Sequence, residues 1–201
     1  MLPSVVPPSP ADFSPLPPLT VIIGGARSGK SRLAEQIIRA SGAARATYVA
    51  TAQAWDDEMA ARIAMHRERR SRFWHTIEEP LELSTLLPRV NPGEPVLVDC
   101  LTLWLTNQML ADPPRDIEFA IDGLREALHD TMAPVVLVSN EVGLGIVPDS
   151  MLGRSFRDQA GRLNQVMSEA ADRVIFVAAG VPLILKNIPS DPSRTRNSPS
   201  S

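Results

Sequence analysis

"GGARSGKS", Gly24 to Ser31, follows the apolar run "LTVII" and leads straight into the helical stretch "RLAEQIIRA". The segment fits the pattern G-x-x-x-x-G-K-[ST], placed between a strand and a helix as that pattern requires. A loop that grips phosphate needs glycines, so that successive backbone N–H groups can turn inward. It also needs a helix N-terminus for positive potential and a lysine to reach the outer phosphates. Gly24, Gly25, Ala26, Arg27, Ser28, Gly29, Lys30 and Ser31 are therefore candidate nucleotide-binding residues, with Lys30 as a catalytic cation. A glycine turn that merely joins strand to helix is the plainer reading, but strand, loop, lysine and helix together favour a nucleoside triphosphate. Kinases, GTPases, helicase motors and nucleotide-gated regulators all use such a loop, so it leaves the reaction open.

Outward from this loop, apolar runs suited to buried strands alternate with segments of helical period. The pattern predicts a P-loop NTPase-like α/β fold, a mostly parallel sheet flanked by helices on both faces. Strands are expected at Leu19–Ile23, Ala46–Ala50, Val96–Asp99, Val135–Val138 and Val174–Val177, and helices near 30–41, 56–70, 101–110, 115–131 and 154–171. In such sheets ligands bind beyond the carboxyl ends of the strands. Asp99, closing the strand "VLVD", is placed to hold Mg²⁺ opposite the Ser31 hydroxyl.

The ends of the chain read differently. Residues 1–18 hold 7 of the 19 prolines, which removes backbone donors and predicts a disordered Pro-rich arm. Residues 187–201 are poor in large apolar side chains and predict a disordered tail. The folded unit is expected over 19–186. A net charge of −3 with interspersed signs predicts no nucleic-acid partner. The single cysteine, Cys100, has no disulfide partner within the chain and suits a reducing, cytoplasmic setting. No apolar run approaches a bilayer's thickness, so no membrane association is expected.

Two kinds of segment carry further chemistry. In "DDEMAARIAMHRERR", His66 follows Ile63 by three and Met59 by seven, which sets it on the apolar side of a helix. A hydrogen-bonded packing histidine is one reading. A nucleophile toward phosphorus is the other, because the cations Arg67, Arg69 and Arg70 favour neutral imidazole and would stabilise charge on an attacked phosphoryl group. "SNEVGLGIVP" places Asn140 and Glu141 at the end of the fourth expected strand, either as a turn or as a substrate contact. "FRDQAGRLNQ" crowds Arg157, Asp158, Arg162 and Asn164 on one helix, either as a charged face or as a substrate surface.

Together, "GGARSGKSR", "YVATAQ", "DDEMAARIAMHRERR", "FWHTIEEP", "VDCLTLWLTN", "NEVGLGIVP" and "FRDQAGRLNQ" resemble, in that order, the bifunctional adenosylcobinamide kinase and adenosylcobinamide-phosphate guanylyltransferase family. The resemblance implies phosphorylation of the aminopropanol hydroxyl of adenosylcobinamide by ATP or GTP. GMP transfer from GTP would follow, giving adenosylcobinamide-GDP for cobalamin biosynthesis. It implies that His66 becomes guanylylated, with net retention at phosphorus over two displacements. It implies nucleotide contacts from Thr51, Ala52, Gln53, Arg67, Glu68, Arg69, Arg70, Glu78 and Asp99, with Glu78 on the guanine edge. It further implies a corrinoid substrate, for which Asn140, Glu141, Arg157 and Arg162 are candidate contacts, and a homotrimer. Ser71 stands where family members commonly carry proline.

Overall fold

The computed structural model describes residues 8–53 and 72–188. The expected helix at 56–70 lies outside the described residues.

The central strand β1 (Leu19–Gly24) is buried along its whole length. Leu19, Val21 and Ile23 point into one core cluster and Ile22 into the other, as a period of two demands of a strand covered on both faces. Burying each such side chain contributes about 1.5–3 kcal/mol, which makes β1 the natural centre of the sheet. Around it lie β2 (Ala46–Ala50), β3 (Trp74–Glu78), β4 (Val96–Asp99), β5 (Val135–Asn140), β6 (Arg173–Ala178) and β7 (Val181–Asn187), in the order β3-β2-β4-β5-β1-β6-β7. All neighbours are parallel except β6 and β7. The expected mostly parallel α/β fold is the one observed.

Helix α1 (Lys30–Ala40) buries Leu33, Ala34, Ile37 and Ile38, a stripe that packs with Ile22, Leu97 and Val136 on one face. The other face is covered by the short α2 (Leu83–Leu86), α3 (Leu101–Met109), α4 (Ile117–Asp130) and α5 (Met151–Ala170), through Leu83, Leu105, Leu124, Leu163 and Met167. Asp116 and Ser150 cap α4 and α5 by accepting the N–H groups of Phe119 and Gly153.

Four features depart from the sequence reading. Strand β3 was not anticipated, because "WHTIE" lines a sheet edge and mixes one buried with several exposed positions. Strand β7 was also missed; it forms a hairpin with β6, and its apolar residues stay exposed. The expected disordered arm is corrected over 8–18. Pro10–Phe13 form a 3₁₀ turn against α1, Phe13 is 1% exposed, and buried Arg173 donates to its carbonyl oxygen. Proline content signalled an extended chain, but one aromatic ring with a core slot outweighs it. Finally, the expected tail is corrected at its first residue, since Asn187 closes β7 and accepts from Arg173 Nε, and 189–201 lie outside the described residues.

Candidate phosphate-loop active site

Parallel registration brings Gly24 opposite Asn140 on β5 and Val177 on β6, while Asp99 lies opposite Ala50 on β2. The carboxyl ends of β1, β2, β4 and β5 therefore converge where the loop 24–31 turns into α1. Gly24 has no room for a side chain: a Cβ there would lie 2.3 Å from the carbonyl oxygen of Val177. Gly29, the N-cap of α1, has φ of 101°, in the region that only glycine adopts freely. Arg27 also takes a positive φ, 55°, at the exposed tip of the loop. A cleft of about 240 Å³ lined by Arg27, Ser28, Gly29, Lys30, Ser31 and Arg32 opens at the helix N-terminus. Lysine, arginine and helix dipole all give it positive potential.

Lys30 is 7% exposed, and its ammonium donates to the Gly25 carbonyl at 2.8 Å and to Asn140 Oδ1 at 2.7 Å. Burial pushes its pKa below the usual lysine range, against the charges of Cys100 and Asp99. The Cys100 thiol is itself pushed up to about 11, by burial first and by Asp99 second, so at neutral pH it stays protonated and lends the ammonium no charge. Beside Lys30, the Ser31 hydroxyl donates to Asp99 Oδ1 at 3.3 Å, and Tyr48 donates to Asp99 Oδ2 at 2.7 Å. This serine and carboxylate offer hard oxygen donors side by side, the set that Mg²⁺ takes when phosphates and water complete its shell. Among the described residues no group of three or more His, Cys, Asp or Glu converges.

The other expected residues fall into three groups. Thr51 is fully buried and committed inward: its hydroxyl donates to the Cys100 carbonyl and accepts the Cys100 N–H, while Asn107 donates to its carbonyl oxygen. It shapes the end of β2, and the half-exposed Ala52 and Gln53 follow it at the carboxyl end of the sheet. Glu78 lies opposite Ala50 at the exposed end of β3. His66, Arg67, Glu68, Arg69 and Arg70 lie outside the described residues.

Of the four substrate candidates, Asn140 reaches Lys30 directly. Glu141 turns its carboxylate back to the N–H of Gly143 in its own loop. Arg157 contacts its neighbour Asp158 at 3.4 Å. Arg162 pairs with Glu118 of α4 at 3.9 Å and lines a groove between α4 and α5. Helix α5 touches the phosphate end at Asn164, which donates to the Asn140 carbonyl oxygen, whereas Arg162, about 200° round the helix from Asn164, turns toward α4.

Sequence reasoning singled out Asn164 but missed Tyr48, Thr102 and Asn107. Thr102 Oγ1 accepts the Asn140 N–H, Asn164 donates to the Asn140 carbonyl, and Asn107 bridges Thr51 to Pro80. Their one signal was polarity at positions that helical or strand periodicity assigns to the core.

Residues 20–185 match the family described as cobinamide kinase / cobinamide phosphate guanyltransferase. The chain belongs to that family. A bifunctional adenosylcobalamin biosynthesis protein of Pseudomonas aeruginosa is 51% identical over 170 residues, 84% of this chain and 98% of that protein. Its namesake in Escherichia coli is 43% identical, over 84% of this chain and 99% of its own length. Among solved structures, an ATPase domain aligns over 86% of this chain and 78% of its own with a TM-score of 0.50, a likeness that at 14% identity shows the fold alone. This member of the cobinamide kinase / guanyltransferase family is an enzyme, and its docked N-terminal turn precedes the matched region.

Proposed function

We propose that the protein phosphorylates adenosylcobinamide with ATP or GTP and then transfers GMP from GTP, through guanylylated His66, to form adenosylcobinamide-GDP in cobalamin biosynthesis. The observation that carries this reading is the convergence of Lys30, Ser31 and Asp99 at a glycine loop, in a chain of this family.

In the first reaction the nucleotide's outer phosphates lie against the N-terminus of α1. The substrate hydroxyl attacks the γ-phosphorus, the bond to the bridging oxygen breaks, the nucleoside diphosphate leaves and the hydroxyl proton goes to water. Lys30 and the loop N–H groups hold the charge that spreads over the transferred phosphoryl group. Ser31 and Asp99 would hold Mg²⁺, which when bound neutralises charge on the phosphate oxygens. Tyr48 keeps the Asp99 carboxylate facing Ser31.

In the second reaction a neutral His66 nitrogen forms a bond to the α-phosphorus of GTP and pyrophosphate departs. The phosphate of the phosphorylated corrinoid then attacks the same phosphorus and expels the histidine. Arg67, Arg69 and Arg70 favour the neutral imidazole, and Glu78 accepts hydrogen bonds from guanine. Two inversions give net retention. Asn140, Glu141 and Arg157 adjoin the corrinoid surface, and the enzyme works in the cytoplasm as a homotrimer.

The test is product analysis. Adenosylcobinamide incubated with the protein, Mg²⁺ and ATP is expected to gain one phosphate, and further GTP to convert that ester to the GDP conjugate. Unchanged adenosylcobinamide overturns the proposal; a phosphate ester that GTP leaves unchanged overturns its second half.

A further inference from the structure

We propose that Asn140 is a positioning residue for the phosphate-loop lysine: its side-chain oxygen aims the Lys30 ammonium into the loop without neutralising it. This rests on the reading of the loop as a triphosphate site and adds a residue that acts through Lys30.

The geometry is built from three directions. Gly24 and Asn140 are partners across β1 and β5, which brings the end of β5 alongside the start of the loop. The backbone of Asn140 is pinned twice, since its N–H donates to Thr102 Oγ1 at 2.7 Å and its carbonyl accepts from Asn164 Nδ2 at 3.1 Å. Thr102 on α3 and Asn164 on α5 are themselves buried. The next N–H, that of Glu141, donates to the Gly24 carbonyl at 3.0 Å. With its main chain held by three elements, Asn140 presents Oδ1 at 2.7 Å from Lys30 Nζ, while the Gly25 carbonyl takes a second ammonium proton at 2.8 Å. An ammonium has three protons, and two fixed acceptors direct the third.

The chemistry of the acceptor matters as much as its place. A neutral amide oxygen orients the ammonium and leaves its full charge for phosphate. A carboxylate at the same point would form an ion pair and repel the incoming triphosphate. Asn140→Asp keeps the shape and the oxygen but adds the charge; Asn140→Ala removes the acceptor and leaves the lysine charged but unguided. A merely structural Asn140 would make alanine the more harmful change, because Asp retains the hydrogen bond.

Isothermal titration of full-length wild type, Asn140→Asp, Asn140→Ala and Lys30→Ala with Mg²⁺ and GTP, together with steady-state kinase kinetics, tests the idea. Asn140→Asp is expected to weaken GTP binding about tenfold to a hundredfold, the range for interactions with a charged group. Asn140→Ala is expected to bind GTP within about threefold of wild type, but to lose at least about tenfold in kcat as the lysine's aim is lost. Asn140→Asp with wild-type affinity overturns the inference, as does Asn140→Ala with wild-type kcat, and each variant decides alone should the other fail to fold. A wild type that does not bind GTP overturns the loop reading itself; a wild type that binds beside indifferent Asn140 variants overturns only the role given to Asn140.

Discussion

Substituting Gly24 by alanine tests whether close approach of two strands forms the phosphate loop. The added Cβ would sit 2.3 Å from the Val177 carbonyl oxygen and 2.9 Å from Ser28 Oγ, where real Cβ contacts stay beyond 3.0 Å. The first clash is against backbone in a central parallel pair, so β1 and β6 must part by several tenths of an ångström; the second displaces a buried loop residue. Overpacking of this kind costs about 1–3 kcal/mol, and a backbone obstacle places the change near the top of that range. In a chain of this size the melting temperature should fall by roughly 6–12 °C. Because Ser28 belongs to the loop, GTP affinity should drop at least about tenfold as well. Scanning calorimetry and titration with GTP read both effects. Gly25→Ala is the control, since a Cβ there meets nothing within 4 Å, and its melting temperature should stay within about 2 °C of wild type. A Gly24→Ala protein that melts and binds GTP like wild type would refute the strand-crowding argument.

Three further predictions follow from the same packing. Lys30→Ala should weaken GTP binding about tenfold to a hundredfold, while its melting temperature holds or rises because a desolvated ammonium has been removed; unchanged affinity by titration contradicts the site. Phe13→Ala should cost roughly 3 kcal/mol, seen as an earlier urea midpoint, if the N-terminal turn is part of the core; an unchanged midpoint would contradict the docking of that turn. Cys100, buried and with its thiol pushed up to about 11, should resist iodoacetamide at pH 8 in the folded protein. Its folded pKa lies above the unfolded value near 9, so the stabilisation is complete below pH 9 and is lost as pH rises toward 11. Rapid alkylation at pH 8, or stability flat from pH 8 to 11, would contradict that burial.

The loop, its strand and its helix were legible because local spacing carries them: glycine, lysine and apolar run all fall within one turn and one helix. Strand β3 was hidden by its mixed burial at a sheet edge, and β7 by exposure on both faces, so neither carries the strong apolar signal of β1 or β5. Lys30 and Asn140 stand 110 residues apart, and no pattern in the chain announces their contact; it exists only because β1 and β5 pair in one register. Tyr48 and Asn107 were unreadable for a related reason, since a polar group facing inward is explained only by the partner it finds. Arg162 and Asn164 stand two residues apart on α5, yet Asn164 reaches Asn140 while Arg162 pairs with Glu118, because two residues turn a helix by about 200°.

The most direct measurement mixes the protein with Mg²⁺ and GTP labelled at the α-phosphorus, then follows label bound to the denatured chain. The account predicts a protein–GMP bond that is labile in acid and stable in alkali, is absent from His66→Ala and is discharged by the phosphorylated corrinoid. Wild-type protein that stays unlabelled, or His66→Ala protein that labels equally, would contradict it.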